Sequence, residues 1–252
     1  MADNREQAGD SLKHRPWELP GGPWVMAQNW HDLLFAHWPV PVAMVRGLIP
    51  VGLEIDTFDG NAWVGVVPFR MSAVRLRGTP ALPWLSFFPE LNVRTYVVRD
   101  GKPGVWFFSL DAGNFAAVAI ARRWFHLPYF RARMRSQERD GSIHYQSTRT
   151  HRGASAAEIR ARYRPVRPAR TAQPGTLEYF LTERYCLYTA DGRGRLIRGE
   201  IHHKPWALQI AEAEFAENSM ASAAGIALPD RQPLLHFSRR QDVVVWPPKI
   251  IA

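Results

Sequence analysis

The stretch ELNVRTYVVRDGKPGVWFFSLDA, residues 90–112, decides the fold prediction. Two runs rich in β-branched and aromatic residues flank a short turn, and this pattern is typical of a β-hairpin. The turn contains Asp100 and Gly101, a pair that favours the tight connection between antiparallel strands. We therefore predict two paired antiparallel strands here.

Alternate residues of the first strand carry different chemistry. Successive side chains of a strand point to opposite faces, so four of them share one face: Glu90, Asn92, Arg94 and Tyr96. If this face meets solvent, the segment is an ordinary amphipathic strand. If it meets a closed interior, the same face is the polar wall of a pocket.

The rest of the chain indicates one sheet-rich domain. Its 252 residues include ten Trp and thirteen Phe, which suits a sheet-rich interior, and the length permits one large core. Further hairpins are predicted around Asp59-Gly60 and Asp140-Gly141 from the same turn signal. Residues 1–25 are polar and end in Pro and Gly, so we predict a flexible leader followed by a single domain over residues 26–252.

Two stretches depart from the strand pattern. Residues 112–125 are rich in alanine, have apolar residues at helical spacing and begin near Asn114, a suitable cap, so they give the clearest helix prediction. Residues 151–174 carry many Arg and Pro and are predicted to be a loop or a short helix over residues 156–163. The predicted class is α+β with mainly antiparallel strands.

The formal charge of +9 raises the question of nucleic-acid binding. Arginines crowd between Arg122 and Arg170, and the chain has 28 arginines but only four lysines. Such a skew is more typical of codon composition and a solvated face than of a phosphate groove. Because basicity supplies only the non-specific part of binding, nucleic-acid binding stays an alternative.

Cysteine usage and hydropathy indicate the compartment. The lone Cys186 excludes an intramolecular disulfide framework and fits a reducing environment. The first residues lack the apolar core of a signal peptide, and no stretch approaches the roughly 20 apolar residues of a membrane span. We expect a cytoplasmic protein without a membrane partner.

Seven strings together resemble the YqjF-like family of uncharacterised proteins, which belongs to the acetoacetate decarboxylase-like superfamily. They are WHDLLFAHWPVP, FDGNAWVGVVPFRM, FPELNVRTYV, GVWFFSLDA, LPYF, LEYFLTERYCLY and HKPWAL. The resemblance runs from about Trp30 to Trp246. It implies a closed, cone-like or barrel-like antiparallel sheet with a few peripheral helices and a ligand-sized cavity inside.

The resemblance also implies that the catalytic lysine of the superfamily is missing from this chain. The name-giving enzyme of the superfamily works through a Schiff-base lysine in a Pro-Lys-Lys string. Setting that string against LPYF places Tyr129 and Phe130 at the two lysine positions. The superfamily's carboxylate-binding arginine falls around His37 or Trp38. Decarboxylation through an imine is therefore not expected.

Arg94 is the first candidate for ligand binding. The resemblance places the superfamily's acidic residue near Asn92 or Arg94. A guanidinium inside a closed sheet is costly unless it is paired, so Arg94 is expected to meet Glu90, Glu183 or an anionic ligand. A structural ion pair is the ordinary outcome for a buried arginine, and a clamp for a carboxylate or phosphate is the functional one.

Tyr129 and Glu183 are the catalytic candidates. Tyr129 would act as a general acid or hydrogen-bond donor, which requires a neighbouring cation to lower its pKa from roughly 10. The alternative is a tyrosine that packs with its hydroxyl at the surface. Glu183 and Arg184 alternate and face opposite ways in a strand, and the sequence does not say which one faces inward.

No metal and no cofactor is predicted. His202 and His203 are adjacent, and adjacent side chains of a strand diverge, so they do not easily bind one ion. The sequence contains no Gly-rich phosphate loop, Ser-centred elbow or Cys-pair motif.

The predicted function is binding of a small organic molecule, with an acid as one candidate, inside the sheet. The predicted ligand-binding residues are His37, Glu90, Asn92, Arg94 and Tyr96. One alternative is a lysine-independent enzyme that acts on a carbonyl or enol substrate, and the other is a basic protein that binds nucleic acid or a partner. The sequence leaves a homo-oligomer open.

Overall fold

The computed structural model describes residues 14–82, 86–114 and 125–251. These residues form thirteen strands: β1 (Met26–Val40), β2 (Glu54–Ile55), β3 (Ala62–Leu76), β4 (Phe88–Arg99), β5 (Lys102–Ala112), β6 (Tyr129–Arg139), β7 (Ser142–Arg149), β8 (Glu158–Pro165), β9 (Cys186–Ala190), β10 (Leu196–His202), β11 (Gln209–Asn218), β12 (Leu234–Val245) and β13 (Lys249–Ile250). The helices within the same ranges are α1 (Val42–Arg46), α2 (Leu177–Thr182) and a 3₁₀ turn (Ser222–Ala224).

The predicted central hairpin is confirmed as the antiparallel pair β4 and β5. Its register runs from Glu90 opposite Ala112 to Arg99 opposite Lys102, with one bulge after Val93. The φ angles of Asp100 and Gly101 are 52° and 68°, which places both turn residues in the left-handed region. Aspartate and glycine tolerate that conformation, and this explains why the turn is tight.

The other turn signals are confirmed, but one strand pairing differs. Asp140 and Gly141, with φ of 50° and 70°, join β6 to β7. Asp59 and Gly60 also adopt positive φ in the turn that precedes β3. The strand before that turn, β2, pairs with β4 instead of returning along β3. The prediction of a second hairpin there was therefore right about the turn and wrong about the partner.

The sheet closes on itself. Its strand order is β13-β10-β9-β5-β6-β7-β8-β11-β12-β1-β3-β4-β2, and a further pairing joins β5 to β4. Nine strands, from β5 through β11 and β12 back to β4, thus form a barrel. The pairings are antiparallel except those of β5 with β6 and with β9, which are parallel. The predicted mainly antiparallel, barrel-like sheet is confirmed.

A second ring shares one wall with the barrel. β9 and β10 run from β5 to β12, so they enclose a space on the outer side of β12, β1, β3, β4 and β5. This shared wall is buried on both faces. Leu91 and Val93 pack into the barrel core, whereas Glu90 and Asn92 face the second ring. A sheet covered on both sides explains the nearly continuous apolar runs of β1 and β3.

The two stretches without a strand pattern have different outcomes. The helix predicted over residues 112–125 falls mainly on residues 115–124, which lie outside the described ranges. The loop or short helix predicted over residues 156–163 is wrong, because β8 occupies Glu158–Pro165. Its alternating pattern has Ile159, Ala161 and Tyr163 buried and the intervening arginines exposed.

The end of the predicted leader packs on the sheet. Arg15 donates hydrogen bonds of 2.8 Å to Glu200 Oε2 and of 2.6 Å to the carbonyl of Ile201, and only 7% of Arg15 is exposed. Trp17 Nε1 donates to the same carboxylate at 2.9 Å. From His14 onward, the leader is therefore attached to β10. No helix in the described ranges is long and apolar enough to cross a membrane.

Candidate functional site

A cavity of about 980 Å³ lies in the second ring, against the shared wall. Most of its lining is aromatic or aliphatic, including Trp30, Leu33, Phe69, Phe107, Leu127 and Trp206. Five of the polar lining residues lie on β4 and on the segment that leads into β9: Glu90, Asn92, Arg94, Thr182 and Arg184. A largely apolar pocket with a few convergent polar groups is the usual form of a small-molecule site.

Arg94 lies in this lining without a carboxylate partner among the described residues. Its Nη2 donates to Tyr96 Oη and to the carbonyl of Leu181, both at 3.3 Å. Its guanidinium stacks 5.3 Å from the Phe35 ring centroid, and its Nε is buried without a hydrogen bond. The predicted structural ion pair with Glu90 or Glu183 is absent from the described ranges. Arg94 is thus a half-buried cation whose charge no described carboxylate neutralises.

Asn92 is the second unsatisfied group of the same strand face. Only 5% of it is exposed, and its Oδ1 is buried with no hydrogen-bond partner within the described ranges. A carboxamide offers one acceptor and two donor hydrogens, and a buried one is normally satisfied. Asn92 therefore offers unused hydrogen-bonding capacity where it lines the cavity.

Tyr129 and Glu90 form a buried hydrogen bond in the same lining. Tyr129 Oη donates to Glu90 Oε2 at 2.9 Å, and the exposed fractions of the two residues are 8% and 2%. Burial raises the pKa of Glu90 to about 8, and the hydrogen bond from Tyr129 only partly opposes this rise. Glu90 therefore carries its proton at neutral pH and is not the counter-ion of Arg94.

The structure does not meet the condition for Tyr129 to act as an acid. Burial, followed by the neighbouring Glu90, raises the pKa of Tyr129 well above its ordinary value. No described cation acts on it in the opposite direction. The alternative of a surface hydroxyl is also wrong, because the Tyr129 hydroxyl is bound inside the protein. Through this hydrogen bond, Tyr129 holds the Glu90 carboxyl group in place.

His37 and Tyr96 lie behind Arg94 and are not part of the cavity lining as described. Tyr96 Oη donates to the carbonyl of Leu181 at 2.7 Å and lies 2.6 Å from His37 Nε2. The single Tyr96 proton is used on Leu181, so His37 donates through Nε2. Burial, Arg94 and His236 lower the pKa of His37 well below its ordinary value, which favours the neutral ring. Both residues support Arg94 from behind.

Gly65 makes this arrangement possible. It lies opposite His37 on β1 and opposite Arg94 on β4. A Cβ atom at Gly65 would lie 2.9 Å from two His37 ring atoms and 3.5 Å from Arg94 Cγ. The absence of a side chain at this position leaves room for the His37 imidazole.

Glu183 and Arg184 face different surroundings, but both precede β9, so the predicted strand alternation does not apply to them. Glu183 accepts hydrogen bonds from Tyr185 Oη at 2.5 Å and from the Trp206 backbone at 2.9 Å, and it is absent from the cavity lining. Arg184 lines the cavity, but Asp56 neutralises it at 2.5 Å. Glu183 thus holds the Trp206 segment in place, and the geometry does not place it among the reacting groups.

Sequence reasoning missed the aromatic part of the site. Trp206 and Trp30 both line the cavity, stack with their centroids 6.0 Å apart, and have buried indole Nε1 atoms without partners in the described ranges. Phe35 contacts the Trp206 ring edge-on, at a centroid distance of 4.9 Å, and the Arg94 guanidinium at 5.3 Å. Trp206 therefore lies at the same end of the cavity as Arg94. The string HKPWAL, which contains Trp206, contributes to the family resemblance, but nothing in it indicates that Trp206 lines a cavity.

The remaining candidates do not form a site. No group of three or more His, Cys, Asp or Glu in the described ranges is arranged to hold a metal ion. The exposed arginines of β8 face the acidic residues of β11, with Arg162 to Glu214 at 2.9 Å and Arg164 to Glu212 at 3.1 Å. Part of the positive charge is therefore matched within the sheet.

Three comparisons place the chain among known proteins. It is 49% identical over 229 residues to the "Uncharacterized protein YqjF" of Bacillus subtilis (strain 168), covering 91% of this chain and 93% of that one. The enduracididine biosynthesis enzyme MppR complexed with pyruvate has a TM-score of 0.60 at 14% identity and covers 94% of this chain and 93% of its own. Acetoacetate decarboxylase from Legionella pneumophila subsp. pneumophila str. Philadelphia 1 has a TM-score of 0.60 at 12% identity, with coverage of 96% and 94%.

The structural likenesses concern the fold alone, because the identities are low. They agree with the closed sheet and confirm the acetoacetate decarboxylase-like architecture. The family model that matches residues 27–242 is DUF2071, described as "Uncharacterized conserved protein (COG2071)". With that match and the relative from Bacillus subtilis, the chain belongs to the DUF2071, or YqjF-like, family.

Proposed function

We propose that this protein binds a small organic acid in the cavity, with the carboxylate held by Arg94 and Asn92. The observation that carries the proposal is a set of buried donors without partners in the described ranges, on residues that line the cavity: Arg94 Nε, Trp30 Nε1 and Trp206 Nε1. Asn92 would add its Nδ2 amide as a further donor to the carboxylate. Buried polar groups without partners are rare in folded proteins, and a bound ligand is one way to satisfy them.

The charges favour an anion. Glu90 is protonated at neutral pH, and Arg184 is neutralised by Asp56, so Arg94 is left as the uncompensated charge of the described inner lining. A carboxylate accepts two hydrogen bonds from a guanidinium in a planar arrangement. Its binding would neutralise Arg94 and satisfy Nε in one step.

Binding of this kind does not depend on imine chemistry. No lysine belongs to the described cavity lining, and Tyr129 occupies the position that the resemblance assigns to the Schiff-base lysine. A cytoplasmic location, expected from the lone Cys186, remains a prediction. Cys186 is free and buried, which agrees with that expectation.

A titration with hexanoate tests the proposal. Binding to the full chain is followed by tryptophan fluorescence, because Trp30 and Trp206 line the cavity. We expect saturable binding of hexanoate and at least tenfold weaker binding in Arg94→Gln, since hydrogen bonds to charged groups contribute roughly 1.5–3 kcal/mol. Arg133→Gln removes an exposed arginine on β6 and serves as the matched control. Equal affinity of the two variants for hexanoate, or no binding of either hexanoate or a longer acid, would reject the proposal.

The second candidate function is proton transfer on a carbonyl or enol substrate. One observation favours it: Glu90 lies in the cavity lining with a pKa of about 8, close to the operating range of a general acid or base. The catalytic group is then Glu90, with Tyr129 as its positioning residue.

Deuterium exchange tests this second function. The C3 protons of 2-oxobutanoate are followed by NMR in D₂O, with wild-type protein and with Glu90→Gln. Exchange above the buffer rate that disappears in Glu90→Gln would support catalysis. Exchange at the buffer rate in both samples would leave the cavity as a binding site.

A further inference from the structure

The cavity is long, and Glu90, Asn92 and Arg94 lie at one end of it. Along β3, the residues that line it are Val67, Phe69, Met71, Val74, Arg75 and Leu76. Val67 lies opposite Asn92, whereas Leu76 lies opposite Met26, at the far end of the same strand. At about 3.3 Å per residue, the lined part of β3 spans roughly 30 Å. A volume of about 980 Å³ distributed along that path describes a narrow channel.

The channel wall between the two ends is mainly apolar, with Gln28 and Ser86 as its polar members. Phe88 and Leu127 join the β3 side chains in lining it. Ser86 also lines it, but its hydroxyl is bound to the Val74 carbonyl at 2.6 Å. A short keto acid at Arg94 would leave most of this wall without a partner. An apolar tail would fill it.

The outer end opens at exposed apolar side chains. Leu76 and Leu82 line the cavity and are 48% and 43% exposed. Large aliphatic side chains exposed beside an opening are typical of a site that admits an apolar molecule. Arg75 lines the same end, with Nη1 3.4 Å from the Ala73 carbonyl, and it is a second arginine outside any described ion pair.

We infer that the ligand is a long-chain carboxylic acid whose carboxylate lies at Arg94 and Asn92 and whose tail follows β3 to the rim at Leu76. This inference rests on the proposed function and adds the chemical class of the ligand. It also fixes the orientation, because the opposite one would place the carboxylate at Arg75 and bury the tail against the charge of Arg94.

Dodecanoate, hexanoate and dodecan-1-ol test the inference by fluorescence titration of the full chain. Each buried methylene strengthens binding about fourfold at most, so we expect dodecanoate to bind at least a hundredfold more tightly than hexanoate. Dodecan-1-ol and methyl dodecanoate lack the charge and are expected to bind at least tenfold more weakly than dodecanoate. Tight binding of the methyl ester would identify an esterified acyl chain as the ligand and would overturn the free acid.

Variants separate the two ends of the channel. Arg94→Gln should weaken dodecanoate at least tenfold, and Arg75→Gln should weaken it less than twofold. A larger loss of dodecanoate affinity in Arg75→Gln than in Arg94→Gln would overturn the inferred orientation of the acid. Val74→Trp places a large ring in the channel and should remove the advantage of dodecanoate while hexanoate still binds, which also shows that the variant folds. Leu76→Glu, at the exposed rim, should weaken dodecanoate alone.

The outcomes distinguish the two proposals. If hexanoate binds through Arg94 but dodecanoate binds no more tightly, the long-chain inference fails and the proposed function stands. If neither acid binds, both fail. If both acids bind and Arg94→Gln changes neither affinity, the proposed site is wrong.

Discussion

The hydroxyl of Tyr129 donates a 2.9 Å hydrogen bond to Glu90 Oε2 inside the cavity, at the position where the resemblance would place a Schiff-base lysine. A lysine there would introduce a cation and a nucleophile. Tyrosine introduces neither, and it accompanies a carboxyl group that keeps its proton. In the proposed function, the chemistry of this cavity therefore depends on Arg94 and on a neutral Glu90.

Removing the Tyr129 hydroxyl should raise the pKa of Glu90 and should lower the stability of the fold only slightly. Tyr129→Phe deletes a buried hydrogen bond and is expected to lower the free energy of unfolding by about 0.5–1.5 kcal/mol. Because this bond lowers the pKa of Glu90, its loss should raise that pKa further. Chemical denaturation at pH 6 measures the stability, and carboxyl infrared bands over a pH series measure the protonation of Glu90. An unchanged Glu90 titration would contradict this coupling.

The stability of the wild-type protein should fall relative to Glu90→Gln as the pH rises from 4.5 to 8. The folded-state pKa of Glu90, about 8, lies above its ordinary 4.5, so within this window the native state retains a proton that the unfolded state has lost. The difference should grow by up to about 1.4 kcal/mol per pH unit and level off above pH 8. Urea denaturation of both proteins at matched pH values measures it. A constant difference would show that Glu90 is ionised in the folded protein.

Gly65→Ala should disturb the support behind Arg94. The new methyl group would lie 2.9 Å from the His37 ring, in a buried site. Overpacking of this kind costs typically 1–3 kcal/mol, and we expect the same range here from thermal or urea denaturation. Gly47→Ala, at a φ of −70° with no atom within 4 Å of the new methyl group, controls for the loss of a glycine. A fully stable Gly65→Ala would mean that His37 is free to move.

Borohydride should trap no imine between the wild-type protein and pyruvate. No lysine belongs to the described cavity lining, and Tyr129 stands where the resemblance places the nucleophile. Tyr129→Lys supplies an amine at that position and is expected to give an adduct detectable by intact-protein mass spectrometry. An adduct of the wild type mapped to Lys204 would contradict the assignment.

The turn and the strand faces of the central hairpin were predictable because they depend only on residues that are neighbours in the sequence. Asp100 and Gly101 set the turn, and strand alternation alone placed Glu90, Asn92 and Arg94 on one face. The closure of the sheet was reached only through the resemblance, since hairpin signals do not say which distant strands pair. The pairing of β2 with β4 illustrates this limit.

The site was predictable only in part, because which side chains contact one another depends on how distant segments of the chain come together in the fold. Nothing in the sequence distinguishes a neutral Glu90 bound to Tyr129 from an ionised Glu90 bound to Arg94. Glu183 is a catalytic candidate from the sequence, but its carboxylate accepts hydrogen bonds from Tyr185 and from the Trp206 backbone. Trp206 itself lies far along the chain, and its contact with the Arg94 region passes through Phe35.

A crystal structure of the protein with dodecanoate tests the central claim most directly. We expect density for the carboxylate within hydrogen-bonding distance of the Arg94 guanidinium and the Asn92 carboxamide, with the tail running along β3 toward Leu76. A carboxylate at Arg75, or a cavity without the acid at concentrations that saturate binding in solution, would contradict it.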